Sequence, residues 1–307
     1  MKHIMTILGC CLIVVSAETT SLEVFSPGDV PGEFHVDSGD VRGVLRLGGI
    51  SFGFMPFEHV PTETDLASMM GLLNYYRIFT TNQRYGESMR ALPSEATLEA
   101  PDTLRVHWPA DEDRPFALTG IYRWVAPDTV DLETVVEAVE TLPHFDIFLA
   151  SYLSTLFPVS SVYVREDNDT KAFMTAEPEY GVWQLFPRDT DAVALVQDGR
   201  WDIPPSPVDW AVRPKIAAPL IFRRNADTGL VVAMMARPED CFAVFTPDRD
   251  EYHYSMYFSL FGETVEAGDT VRCRIRMVIN VLDDDALLER YDAFLNSAPN
   301  QCDTNGS

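Results

Sequence analysis

The chain has 307 residues, 46% of them hydrophobic and 11% aromatic, and carries 47 acidic against 23 basic side chains for a formal net charge of −24. That apolar content excludes a disordered chain, and a compact fold of this size buries roughly 75% of its unfolded surface, enough to stand without disulfides or metals. A negative field of this strength repels phosphate backbones, so no nucleic-acid partner is expected.

Residues 1–17 begin with Lys2, continue as an apolar run over 4–15 and close on Val15-Ser16-Ala17. A charged start, an apolar stretch too short to span a bilayer and small residues at a cleavage point make a secretory signal peptide. The expectation is an exported protein, periplasmic or extracellular, with no membrane span in the mature chain. Ile7-Leu8-Gly9 ahead of Cys10 leaves a lipoprotein form as the alternative. Behind the leader stand Cys241, Cys273 and Cys302, an odd number without zinc-site spacing. Cys241 and Cys273 are read as buried thiols, with one bridge as the alternative, and neither a metal nor a cofactor is expected.

In chain order, short apolar runs of period two broken by Pro, Gly and Asp predict antiparallel β structure. Strands are expected over 119–125 and 130–139 around an Ala126-Pro127-Asp128-Thr129 turn, then over 161–165, 192–197, 219–224, 229–236, 241–246, 253–261 and 270–281. Residues 65–73 are a weak helix candidate, and 145–156 fit either a strand or a helix. Asp283-Asp284-Asp285 caps a helix over 286–296, whose Leu287, Leu288, Tyr291, Phe294 and Leu295 form one apolar stripe. The proline-rich stretch 204–219 reads as a loop packed on the body, because Trp201, Trp210 and Ile216 accompany it. The whole is an all-β chain: one large antiparallel β-sandwich over 18–299 with a C-terminal amphipathic helix, and a tail over 300–307.

The candidate chemistry centres on 252–281, read as a hairpin whose connection Gly262 and Gly268 bracket. Alternation puts His253, Ser255, Tyr257 and Ser259 on one face of its first strand and Arg272, Arg274 and Arg276 on one face of its second. Like charges about 6–7 Å apart repel unless something anionic lies among them. Asp131, Glu133 and Glu137 alternate likewise and would supply a cross-strand ion ladder. A solvated face is another reading. The third is an anion site in which the arginine forks grip an acidic sugar, with His253 and Tyr257 as catalytic proton-transfer groups. Trp201 and Trp210 are candidate sugar platforms, as are Trp183, Tyr180 and Tyr85, against a purely structural role in the core. Of the adjacent pair Arg223-Arg224, one is expected to be buried and paired. No GxSxG, HExxH, P-loop or GxGxxG is present, and no two histidines make a ligand pair.

Two stretches carry a resemblance. Residues 117–152 run strand, turn, strand and then His144-Phe145-Asp146-Ile147-Phe148, and the phrase over 253–262 is followed by Glu266-Ala267-Gly268-Asp269-Thr270-Val271 and an arginine-bearing strand. Together they resemble the galactose-mutarotase-like supersandwich, the fold of aldose epimerases and of sandwich domains in polysaccharide lyases and glycosidases. Members with epimerase activity carry a catalytic histidine and a late catalytic glutamate. The phrase at His253 is similar to the epimerase HxYFNL string, but it stands nearer the C-terminus, and no glutamate of this chain is matched. The chain is also similar to exported proteins of environmental bacteria, which implies no activity. The expected partner is a carbohydrate, an anionic one in the arginine reading. The expected function is that of an exported carbohydrate-active protein, a lyase or hydrolase on acidic glycans; the alternative is a non-catalytic carbohydrate-binding or surface-assembly protein built on the Trp201–Trp210 loop.

Overall fold

A computed structural model describes residues 22–48, 53–81, 83–86, 88–166, 168–248 and 254–297. The leader, His253 and the 300–307 tail lie outside the described residues.

Two large sheets face each other. The nine-stranded sheet runs, edge to edge, Lys171–Thr175, Val159–Arg165, Ile216–Arg224, Leu230–Ala236, Thr270–Val281, Thr129–Ala138, Phe116–Ala126, Thr103–Trp108 and Glu95–Ala100, all antiparallel. The seven-stranded sheet runs Ala211–Val212, Trp183–Pro187, Cys241–Pro247, Ser255–Phe261, Asp146–Tyr152, Asn74–Thr80 and Gln83–Arg84. A five-stranded meander from Phe25–Pro27 to Thr64–Asp65 closes one end of the sandwich. There Phe54 meets Tyr122 and Trp124 edge-on, with ring centroids 5.7 and 6.3 Å apart. Among the described residues no helix is long and apolar enough to cross a membrane.

One apolar core fills the space between the sheets. Leu118, Tyr122, Leu132, Cys273, Ile275 and Met277 project into it from the larger sheet, and Ile147, Leu149, Val244, Met256 and Phe258 from the smaller. Cys241 and Cys273 are both buried free thiols. Tyr75 crosses the interior from the smaller sheet, and its hydroxyl meets Thr134 Oγ1 at 2.8 Å. Gly120 makes room for that ring, since a Cβ built there would sit 2.9 Å from the Tyr75 hydroxyl oxygen.

The predicted sandwich and most of its strands are present, and the C-terminal helix, Asp284–Asn296, begins where its Asp283 cap accepts from the Ala286 N–H. It lies on the outer face of the larger sheet, with Phe294 and Tyr291 against Leu220, Met235 and Val278. The undecided stretch 145–156 contains the strand Asp146–Tyr152. Arg223 is fully buried, as expected of one member of its pair, and donates to the carbonyls of Phe157, Pro158, Pro247 and Ser255 and to Thr246 Oγ1.

Three expectations need correction. The strand expected at 192–197 is a helix, Thr190–Val196, because Asp189 caps it by accepting from the Ala192 N–H. No helix forms over 65–73: Gly71 and Leu73 adopt left-handed φ of 81° and 53°, which seats Leu72 in a bridge with Phe54. The 252–281 hairpin does not exist. Ser255–Phe261 pairs with Cys241–Pro247 and Asp146–Tyr152, whereas Thr270–Val281 pairs with Thr129–Ala138 and Leu230–Ala236 in the opposite sheet. The connection over 262–269 exceeds the two to five residues of a hairpin loop, and it passes from one sheet to the other.

Replacing Gly120 by Ala should destabilise the protein by about 1–3 kcal/mol, because the new methyl and the Tyr75 ring compete for one space in a packed core. The measurement is the urea-unfolding midpoint; a midpoint equal to wild type would mean that the two sheets are not in register at this contact.

Candidate functional site

The arginine row lies on the outer face of the nine-stranded sheet. Arg276 grips Asp131 through Nε at 2.6 Å and Nη2 at 2.9 Å, Arg274 approaches the same carboxylate at 3.7 Å, and Arg272 donates to Glu133 at 3.0 Å. Asp131 is 1% exposed, and the Phe294 ring lies under the guanidinium groups of Arg274 and Arg276 at 4.8 and 5.1 Å. This is the cross-strand ion ladder for Asp131 and Glu133; Glu137 sits opposite Thr270. Tyr257 points from the outer face of the other sheet, so the expected common wall of Tyr257 with Arg272, Arg274 and Arg276 does not form. Alternation along each strand is as read; the error lies in the pairing.

A partly covered hollow is built on that other outer face. The strands Asp146–Tyr152, Ser255–Phe261 and Cys241–Pro247 are buried along their whole length, so the sheet needs cover on both sides. The helix Thr190–Val196 and the following segment to Trp210 provide it. Trp201 packs edge-on to Phe148 with centroids 4.7 Å apart, and Trp210 meets Phe245 at 4.6 Å and Trp201 at 5.1 Å. The proline-rich stretch therefore is a loop docked on the body. The cover is incomplete, and beneath it a cavity of about 330 Å³ remains, lined by Arg77, Tyr152, Trp201, Trp210 and Tyr257 among others.

Arg77 reaches this cavity through a β-bulge. The strand Asn74–Thr80 slips by one residue against Asp146–Tyr152, with Tyr75 opposite Leu149 but Arg77 opposite Phe148. The extra residue places both Tyr76 and Arg77 along the cavity while Tyr75 enters the core. The guanidinium stacks on the Trp201 ring at 4.8 Å and the Tyr76 ring at 5.2 Å, and its Nη2 donates to the Ser206 carbonyl at 2.9 Å. Its Nε and Nη1 are buried without an acceptor among the described residues, and so are the indole nitrogens of Trp201 and Trp210. Tyr257 stacks on Phe148 with centroids 4.7 Å apart and accepts from Ser255 Oγ at 2.5 Å. Burial pushes its hydroxyl up to about 12 and raises that of Tyr152 as well. No histidine or carboxylate lines this cavity among the described residues. A neighbouring hollow of about 420 Å³ shares Trp201, Val208 and Trp210 and adds Asp202 and Asp209.

Arg200 anchors the cover. Fully buried, it donates to Asp146 at 3.2 Å, to both oxygens of Asp198 at 3.1 and 3.0 Å, and to the His144 carbonyl at 3.2 Å. Burial alone would lower its pKa, but the two carboxylates outweigh this and raise it. Burial dominates at Asp146, whose carboxyl is pushed up to about 6 in spite of Arg200.

Of the residues singled out from sequence, the structure brings Trp201, Trp210, Trp183 and Tyr257 to the cavity. Tyr180 instead stacks its exposed ring under Arg213 at 3.4 Å, and Tyr85 is buried against Phe116. Arg77, Tyr76 and Phe148 were missed. The one signal for Tyr76 and Arg77 was a charged residue inside the aromatic run Asn74-Tyr75-Tyr76-Arg77-Ile78-Phe79.

No family model matches the chain, and neither does any curated protein. Among solved structures the fold is similar to the Slr1438 protein of Synechocystis sp. PCC 6803, with a TM-score of 0.50 and 10% identity over 83% of this chain and 97% of that one. A galactose mutarotase related enzyme from Lactobacillus acidophilus follows at a TM-score of 0.47 and 7% identity, over 82% of this chain and 98% of that one. An α-N-acetylgalactosaminidase from Bifidobacterium bifidum scores 0.48 at 12% identity, over 86% of this chain and 38% of the longer enzyme. The likeness to the Synechocystis protein is one of fold alone.

Two outcomes follow from the charge pairs. Asp131→Ala leaves Arg274 and Arg276 facing each other without their carboxylate and should cost about 3–5 kcal/mol in chemical denaturation. At Asp146 the folded state holds the proton more tightly than the unfolded chain, so between pH about 4 and 6 this group binds more protons folded than unfolded. Its contribution to stability therefore falls as pH rises through that window. The stability difference between wild type and Asp146→Asn should shrink over the same range, and a pH-independent difference would show that Asp146 titrates normally.

Proposed function

We propose that the chain is an exported carbohydrate-binding protein whose site is the aromatic cavity under the Trp201–Trp210 loop. Export rests on the leader-like residues 1–17. The observation that carries the site is a buried cation with unmet donors inside an aromatic box. Arg77 Nε and Nη1 have no acceptor among the described residues, while the residue lines a cavity walled by Trp201, Trp210 and Tyr257. A pyranose offers what such a box lacks: hydroxyl and ring oxygens that accept from guanidinium and indole N–H, and an apolar C–H face to lie on the rings. A volume of about 330 Å³ suits a small ligand. Fold likeness adds no reaction to this reading.

Binding without turnover fits these walls better than a lyase or hydrolase does. Acid–base catalysis near neutral pH needs a group poised near the working pH, and the Tyr257 hydroxyl, pushed up to about 12, holds its proton there. Its role in this reading is to donate a hydrogen bond and to form the floor.

A glycan array followed by calorimetry tests the proposal. Trp201→Ala removes one wall and should weaken the captured sugar at least about tenfold, or 1.4 kcal/mol. Arg272→Ala, on the opposite wall of the sandwich, should leave the affinity unchanged. Loss of binding in Arg272→Ala alone would move the site to the arginine row.

A further inference from the structure

We infer that the occupant of the cavity is an acidic sugar, whose carboxylate replaces the Ser206 carbonyl as the acceptor for Arg77. The inference rests on the carbohydrate reading above and specifies the chemistry of its ligand.

Five arginines are buried among the described residues, and Arg77 is satisfied differently from the other four: Arg114 pairs with Asp111, and Arg274 approaches Asp131. Arg200 is neutralised by Asp146 and Asp198. Arg223 makes five hydrogen bonds to carbonyls and one hydroxyl, and no cavity reaches it among those described. Arg77, only 4% exposed, has a single hydrogen bond, and no carboxylate lies within ion-pair distance of it among the described residues. A buried cation without a counter-charge is costly, and the loss is recovered only by an anion with good geometry. Arg77 lines the aromatic cavity, whereas the hollow that Arg274 lines also holds Glu133, Glu239 and Asp240. Donors without acceptors surround that space: the Arg77 nitrogens and the indole N–H groups of Trp201 and Trp210. A carboxylate is acceptor-only and planar, and it matches a guanidinium fork as a neutral hydroxyl cannot.

The present partner is built to be displaced. Ser206 lies in an exposed segment, and its φ of 59° is left-handed, a strained conformation for a residue with a side chain. Arg84 also holds this segment, through the Pro205 carbonyl at 2.7 Å. Because Arg77 Nε and Nη1 are closed off from water, a ligand reaches them as the Ser206 carbonyl withdraws, which releases the strained residue as the ion pair forms.

The test is calorimetry on the full chain at fixed ionic strength, with methyl galacturonoside and methyl glucuronoside against methyl galactoside and methyl glucoside, and a sugar sulfate as a further probe. At least one uronide should bind tenfold or more tighter than its neutral counterpart and shift the tryptophan emission of Trp201. Arg77→Met should abolish that preference, so that acidic and neutral glycosides bind within twofold of each other; Arg77→Lys should restore only part of it. Equal binding of acidic and neutral glycosides would overturn the inference and leave the carbohydrate reading standing. Tighter binding of the sulfate than of either uronide would also overturn it. Absence of binding by all of them would overturn both. If Arg77→Met does not fold, the comparison of glycosides on wild type decides the matter.

Discussion

The architecture depends on strands that are apolar on both faces. Asp146–Tyr152, Ser255–Phe261, Cys241–Pro247 and, in the larger sheet, Leu230–Ala236 bury every residue. A two-layer sandwich satisfies only one side of such strands, so each sheet requires a third layer. On the larger sheet the C-terminal helix supplies it, laying Leu287 against Phe222, Val231 and Ala233. On the smaller sheet a short helix and a proline-rich loop supply it, and this looser cover leaves the cavity. The candidate site is thus the unfilled part of a second, smaller core in which Phe148, Trp201, Trp210 and Tyr257 pack together.

Arginine does most of the positive work in a chain with three lysines, and its planar fork suits each of the settings it occupies. Around Asp131 two guanidinium groups share one buried carboxylate over an aromatic ring. Arg200 fastens a loop to a strand through two carboxylates, and Arg223 collects carbonyls where chain segments converge between the sheets. Arg77 leans on aromatic faces, an arrangement that stabilises the cation without neutralising it.

Much of the fold was legible because period-two alternation reports faces directly. The strand Thr270–Val281 was bounded correctly, and Val271, Cys273, Ile275 and Met277 do oppose the arginines. What alternation does not encode is pairing. Two sequential strands with matching patterns pass for a hairpin, and only the long 262–269 connection hinted otherwise. The same limit hid the site. Tyr76 and Arg77 line the cavity together only because of a bulge, a one-residue slip that depends on the neighbouring strand. Trp201 and Trp210 were visible as aromatics in a proline-rich loop, where large side chains seldom occur unless they pack. The helix Thr190–Val196 reads as a strand because Val193 and Val196 lie in a short apolar run, while Ala192, Ala194, Leu195 and the capping Asp189 favour the helix.

The position of Thr270–Val281 has a consequence for biogenesis. It is the last strand in sequence among the described residues, yet it occupies the middle of the nine-stranded sheet, joining Thr129–Ala138 to Leu230–Ala236. Until it is in place the larger sheet is two unconnected halves, each with an open, apolar edge of the kind that invites aggregation. Such distant pairing makes assembly slow. The two halves therefore join only once Thr270–Val281 is available to pair with both.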